Sequence, residues 1–427
     1  MKTKIVIVGG GFGGMNAAKK LSRYPDFAIT LIDRRNHHLF QPLLYQVATA
    51  GLSPADISTP IRSLFAGLEN VEVLLDEALE ILADEKRLKC ASRELQYDYL
   101  VLACGANHSY FGHPEWETFA PGLKTIEQAT EIRRRVLSAF EEAEKEADPK
   151  IKQAWLTFSV IGGGATGVEL AGAIAELAKR TMQNEFRNID PRKSKVLLIE
   201  SGARLIASFD EMLSQEAKRD LETLGVEVRL NTKVQALDAN SVKTDHDAIA
   251  CKTAIWAAGV APSVLGKRFQ SQKPVELDKA GRVRVAADLS VPNYPNIFVI
   301  GDQAACMGKD GKPLPGLAPV AMQQGRHVAE VISARVSEQK GSERKILPFH
   351  YLDKGSMATI GRTKAVLQLG DFKLSGFVAW IAWLLIHIFY LIGFKNRVFV
   401  FLQWVWNYAT YSRGARLIVD KDWRLKS

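Results

Sequence analysis

The apolar residues of this chain follow two rhythms. In "KIVIVGGGFGGMNAAKKLSRYPDFAITLID", starting at Lys4, a short β-branched run at Ile5–Val8 stops at glycine, gives way to helical spacing, and returns as a second apolar run. A brief apolar run bounded by turn signals reads as a strand buried on both faces, so the segment predicts strand, glycine turn, helix, strand. Nearly the same sentence recurs as "WLTFSVIGGGATGVELAGAIAELAKR" followed by "KVLLIES", about 150 residues on. That spacing makes it a repeat of whole domains and excludes a short solenoid period. A second matched pair, "YDYLVLACG" (97–105) and "KTAIWAAGV" (252–260), offers each unit another buried strand ending in small residues. Between the units, "RRRVLSAFEEAEKEADPK" predicts a charged helix ending at Pro149, where a hinge into the second unit is expected. After the polar break "SEQKGSERK" the rhythm changes: "GFVAWIAWLLIHIFYLIGF" (376–394) runs nineteen residues without a charge. Five of the eight tryptophans fall between Trp380 and Trp423.

Composition narrows this picture only in places. A chain of 427 residues is long enough for two or three domains. Its net charge of +9 is concentrated beside the apolar run, where Lys373–Ser427 holds eight basic residues against two acidic ones. A basic flank next to an apolar stretch points to an anionic membrane surface and away from nucleic acid. Cys90, Cys104, Cys251 and Cys306 are far apart and form no C-x-x-C pair, so a disulfide framework, a zinc site and an iron–sulfur site are not expected, and no metal is assigned. The N-terminus has too few apolar residues before its first glycine for a signal peptide.

The glycine turns carry the chemistry. Gly9, Gly11 and Gly14 give G-x-G-x-x-G between strand and helix, and Asp33 closes the next strand. The first glycine permits the tight turn, the second lets backbone amides approach a pyrophosphate, and the third allows close helix–strand contact. The helix N-terminus offers its dipole to the phosphates, and the acid is placed to accept ribose hydroxyls. Gly162, Gly164 and Gly167 repeat the spacing, with Glu200 ending the following strand after an insertion near "MQNEFRNIDPRKSK". An acid there favours NADH over NADPH, although Arg204 lies close by. In "NIFVIGDQAA" a third strand delivers Gly301 and Asp302; the carboxylate either binds the ribityl chain of a flavin or caps the next helix.

The sequence resembles the two-dinucleotide-binding-domain flavoproteins and, within them, the type II NADH dehydrogenases, the non-pumping NADH:quinone oxidoreductases. The likeness covers nearly the whole chain and rests on "GGGFGG", "HHLFQPLLYQVATAGLSPADISTPIR" (37–62), "GGGATGVELAG", "WAAGV", "IFVIGD" and "APVAMQQGRHVA". It implies an α/β fold of two Rossmann-like dinucleotide-binding domains: residues 1–115 with 265–335 for FAD, 116–264 for NADH, and 336–427 as a membrane-associating C-terminal region. Hydride would pass from NADH to the flavin and two electrons on to a quinone, menaquinone or ubiquinone, without proton pumping. Phe12, Gly13, Arg34, Gly105, Gly259 and Ala321 would join the cofactor-binding set. Glu169 matches the family glutamate placed near nicotinamide and flavin, a candidate for quinone protonation; a carboxylate near a helix start also complements the dipole. The family's A-Q-x-A-x-Q pattern here reads Ala318 to Gln323, with Pro319 for the first glutamine. Pro319 suits a helix start. Gln323 keeps the second position, a quinone-side contact, and Gln324 reads as a solvated helix residue. Two other classes stay open: a soluble NADH reductase for a ferredoxin- or rubredoxin-like carrier, and an apoptosis-inducing-factor-like FAD/NADH-binding protein.

As a helix the apolar run falls just short of the roughly 30 Å hydrocarbon thickness, so length permits a span, but crossing would translocate the basic residues after it, against the positive-inside tendency. Asn396, Gln403, Asn407 and Thr410 form a polar stripe on its successor, the pattern of a helix lying in an interface. The expectation is a monotopic anchor on the cytoplasmic face of the cell membrane that roofs the quinone entrance, with homodimer contacts or a third core as the alternative. His387 is expected to be a packed ring without chemistry.

Overall fold

In a computed structural model of the chain, residues 2–309, 311–339, 341, 346–410 and 413–419 are described. They form two compact units: 1–38, 59–107 and 260–354 in the first, and 39–58, 108–259 and 355–427 in the second.

The first unit is built on a six-stranded sheet in the order Ser290–Val291, Tyr294–Val299, Tyr99–Leu102, Thr3–Val8, Phe27–Asp33, Val71–Leu75. All neighbours are parallel except the first pair. Ile5, Ile7, Leu31, Ile32, Leu100 and Val101 are fully buried, as strands covered on both faces require. The strand before Gly301 therefore returns to the first sheet, next to Tyr99–Leu102. Helices Phe12–Leu21 and Ala318–Gln339 cross very closely, because a Cβ on Gly325 would drive into the carbonyl of Gly13.

The second unit repeats the pattern with four parallel strands in the order Val226–Arg229, Lys195–Ile199, Thr157–Ile161, Thr253–Trp256. Thr253–Trp256 flanks the strand before the second glycine turn as Tyr99–Leu102 flanks the strand before the first. The insertion before Lys195 begins with a π-helical turn at Leu177–Thr181. Pro149 lies inside this unit as the first residue of helix Pro149–Trp155, N-capped by Asp148, so it starts a helix and marks no unit boundary. Proline suits that position because its missing N–H is not needed there.

The C-terminal segment belongs to the second unit. A three-stranded antiparallel sheet, Ser356–Thr359, Ala365–Leu369 and Phe372–Ser375, leads into helices Gly376–Tyr390 and Phe394–Thr410. The uncharged run thus breaks after fifteen helical residues, at Leu391 in extended conformation and Gly393 at φ +90°. Fifteen residues rise about 22 Å, short of a hydrocarbon core about 30 Å thick. Among the described residues no helix is long and apolar enough to cross a membrane. Lys421, Arg424 and Lys426, part of the basic flank, lie outside the described residues.

Part of the polar stripe of the final helix points inward. Asn396 donates to the Ser58 carbonyl, Asn407 to that of Gly51, and the Trp404 indole to Gln46 Oε1 at 2.7 Å. Thr410 instead bonds its own helix at Trp406. Phe394, Phe401, Leu402, Val405 and Trp406 lie exposed on the same helix, and Phe377, Leu385 and Phe389 on the one before. An interfacial helix would turn its polar stripe to water. Here the protein satisfies Asn396 and Asn407 of that stripe, and the apolar side is left outermost.

Candidate active site

The two glycine turns are nearly superimposable in their constraints. Gly9 and Gly162 take φ +107° and +111°, the left-handed region that side chains avoid. A Cβ on Gly14 or Gly167 would collide with the carbonyl oxygen of Gly9 or Gly162 respectively, so each third glycine lets the helix close onto its strand. The middle glycines differ: a Cβ on Gly11 or Gly164 would meet nothing within 4 Å. Both are helix N-caps without a side-chain cap, with open space beside the starts of Phe12–Leu21 and Ala165–Glu176. That combination suits a dinucleotide pyrophosphate in each turn.

Each turn is held by the acid read from the sequence. Asp33 accepts the Gly10 N–H at 2.6 Å and the Arg35 N–H at 2.8 Å. Glu200 accepts the Gly163 and Gly202 N–H groups, both at 2.6 Å. A carboxylate oxygen retains further lone pairs, so both acids can also take a ribose hydroxyl. Arg34 is exposed and pairs with Glu77 at 3.6 Å, and the Arg204 guanidinium donates to the Ala207 carbonyl. Gly105 and Gly259, at φ +65° and +67°, end the matched strand segments. Gly301, at φ +71°, donates its N–H to Gln324 Oε1 at 2.7 Å, and Asp302 follows in a short 3-10 turn beside Gly316. Ala321 and Gly13 meet where helices Ala318–Gln339 and Phe12–Leu21 cross.

Three residues carry more than sequence reasoning gave them. Gln324 is 1% exposed and fixes the Gly301 turn, so it is not a solvated helix residue. His38 is buried and its Nδ1 contacts the Gly10 carbonyl at 2.9 Å; since that oxygen only accepts, Nδ1 carries the proton. Burial pushes its pKa down, and its ring lies edge-on to Phe12. Its one signal was the "HHLFQ" stretch. Gln323 spends both ends of its amide on the Leu352 backbone, at 2.9 and 3.0 Å. Pro319 is the second residue of its helix, where it costs no hydrogen bond.

Glu169 lies in the second turn of helix Ala165–Glu176, whose first turn holds no acid, so complementing the dipole does not explain it. Its Oε1 faces the Thr359 N–H at 3.5 Å, and burial pushes the carboxyl up to about 8. Two turns on, Glu176 accepts the Arg362 N–H at 2.5 Å and faces Arg413 at 3.5 Å; burial still raises its pKa. His387 stacks on Trp383 at 3.9 Å and contacts its carbonyl, and burial lowers the imidazole to about 4, so it stays neutral. Cys90, Cys104, Cys251 and Cys306 are all free thiols.

Two paired glycine turns, each with an open N-cap and an acid-braced loop, define a class: a pyridine-nucleotide flavoprotein. The pyridine nucleotide-disulphide oxidoreductase family matches residues 3–325, and the NDH2 C-terminal domain matches residues 354–410. Two proteins of Mycobacterium tuberculosis, the type II NADH:quinone oxidoreductases Ndh and NdhA, are 45% and 43% identical over 98% of this chain and 91% and 90% of theirs. The chain belongs to the type II NADH:quinone oxidoreductase family. In fold it matches a structure of NDH2 from Plasmodium falciparum in complex with NADH, with TM-score 0.87 and 23% identity over 98% of this chain and all of that one.

Proposed function

We infer that this protein is an FAD-dependent, non-pumping NADH:quinone oxidoreductase. FAD, when bound, supplies the chemistry, accepting hydride from NADH and delivering two electrons to the quinone, while the protein supplies position and electrostatics. The observation that carries the reading is the duplicated glycine turn, one cradle per cofactor, in a chain of which 98% aligns with a relative of that family.

The residues divide the task. Gly9, Gly11, Gly14 and Asp33 hold FAD, with Phe12, Gly13, Arg34, Gly105, Gly301, Asp302 and Ala321 lining its site. Gly162, Gly164, Gly167, Glu200 and Gly259 hold NADH, and Glu200 repels a 2′-phosphate. Reducing a quinone with NADH consumes one proton beyond the hydride. A carboxyl raised to about 8 is protonated at neutral pH, so Glu169 can give that proton from its carboxyl oxygen. Gln323 acts on the quinone side by fixing the chain at Leu352.

The exposed apolar side of the last two helices lies against the lipid surface on the cytoplasmic leaflet. Burying half a dozen such side chains at ~1.5–3 kcal/mol each contributes on the order of 10 kcal/mol before ordering costs. Steady-state NADH oxidation by the purified protein against a panel of menaquinone and ubiquinone analogues, with the released flavin identified by its spectrum, tests the reading. Flavin reduction without turnover on any quinone would sink it.

A further inference from the structure

We propose that Tyr45 is a positioning residue for Glu169, and that the final helix acts on this carboxyl through Tyr45, by way of Trp404 and Gln46. The proposal rests on the acid role given to Glu169 above and adds what governs its proton.

The argument follows donors along one line of contacts, all in the second unit. An indole nitrogen can only donate, so the 2.7 Å contact from Trp404 fixes Oε1 of Gln46 on its side. The Gln46 amide therefore turns its Nε2 to the Tyr45 oxygen, at 3.0 Å. Among the described contacts of the phenol, Thr359 Oγ1, also at 3.0 Å, is the acceptor left for its proton. The Thr359 backbone then donates to Glu169 Oε1. The Tyr45 contact thus holds the side chain of Thr359, whose backbone N–H faces the Glu169 carboxyl and favours its charged form. Tyr45 and Thr359 are 8% and 2% exposed, so water does not compete for the central bonds.

Other charged groups around the series are accounted for. Glu176 shares the helix of Glu169 and is paired with Arg413, whose guanidinium also donates to the Thr49 and Ala173 carbonyls. Arg362 supplies its backbone N–H to Glu176 and lies over the Tyr408 ring at 4.4 Å. Tyr45 itself is no acid at working pH, since burial and the Glu169 charge push its phenol far up. Its role is orientation.

Trp404→Phe removes the donor that sets which way round the Gln46 amide lies. The freed amide can turn, present Oε1 to Tyr45, and draw the phenol proton away from Thr359. Tyr45→Phe deletes that proton outright. Both changes leave the Glu169 carboxylate less supported and raise its pKa.

The test uses the full-length holoenzyme on vesicles of anionic phospholipid. The infrared C=O band of the protonated carboxyl, assigned by its loss in Glu169→Gln, is titrated in wild type, Tyr45→Phe and Trp404→Phe. The midpoint is expected to rise by roughly half a unit or more in both variants. NADH-driven ferricyanide reduction is expected to change less than about twofold, as for proteins that keep their fold and flavin. Midpoints that coincide with wild type in both variants overturn the proposal. The Glu169→Gln turnover profile with quinone separates the two levels. If it keeps the wild-type alkaline limb, the acid role fails, while the infrared midpoints still decide whether the coupling exists.

Discussion

A Cβ on Gly172 would stand 2.9 Å from the backbone nitrogen of Gly361, so helix Ala165–Glu176 and the chain leaving strand Ser356–Thr359 touch through glycine. Alanine in a helix interior ordinarily stabilises by about 1 kcal/mol over glycine. Here the neighbour is backbone, which cannot swing aside, and overpacking of this kind costs about 1–3 kcal/mol. Gly172→Ala is therefore expected to lower the melting temperature, against its helix propensity. It should also displace Thr359, two residues before Gly361, from Glu169 and depress quinone turnover. A variant as stable as wild type would show that the contact relaxes freely.

The paired turns can be separated by substitution. Gly14→Ala sets a methyl against the Gly9 carbonyl, and Gly167→Ala does the same at Gly162. The first is expected to yield protein without bound flavin. The second should purify with its flavin, yet raise the KM for NADH by roughly 100-fold, the factor that about 2.7 kcal/mol of displaced binding geometry produces. Absorbance of the purified proteins and NADH titrations check both.

Glu200 braces its loop and, in the function proposed above, also takes the ribose. Glu200→Ala leaves the Gly163 and Gly202 amides without their acceptor and removes the charge that excludes a 2′-phosphate. The KM for NADH should rise about tenfold, and the preference for NADH over NADPH should shrink by a similar factor. Because Arg204 is held by the Ala207 carbonyl, the variant is not expected to become NADPH-specific.

Phe389 and Leu402 are 68% and 56% exposed. Replacing both by glutamate should leave thermal stability in detergent within about 0.5 kcal/mol per site, as for exposed positions that lose no contact. Their partition onto anionic vesicles should fall by a factor of 100 or more, since two large apolar side chains contribute ~3–6 kcal/mol between them. Vesicle co-sedimentation reads this directly. Unchanged sedimentation would place the anchor elsewhere.

What the sequence disclosed follows from the range of each interaction. The glycine turns, their strands and their acids were legible because turn, helix start and strand end lie within about forty residues and each demands a particular residue type. Asp33 and Glu200 stand at their strand ends as read, but their second duty, bracing the loop, needed coordinates. Gln324 read as a solvated helix residue; only the Gly301 turn, twenty-three residues away in sequence, reveals it as a buried brace. The polar stripe of the final helix was correctly periodic and wrongly aimed, because periodicity shows that a helix has two sides and says nothing of which one the protein covers. The series from Trp404 to Glu169 joins residues from four distant stretches of chain, and no local pattern reports that.

The raised pKa of Glu169 also makes a claim about stability. Its ordinary value is near 4.5 and its folded value about 8. Below the lower value both states carry the proton and the group is silent. Between them the folded protein holds a proton the unfolded chain has released, so stability falls as pH rises through this window and levels off above it. Glu169→Gln cannot lose a proton, and its amide can still accept the Thr359 N–H. The variant should therefore melt close to wild type at about pH 5 and above it at about pH 9. The gap should open progressively between and reach roughly 2 kcal/mol, less than full linkage because the site is partly open to water. Melting curves across that range decide the matter, and parallel curves would mean that the carboxyl titrates near its ordinary value.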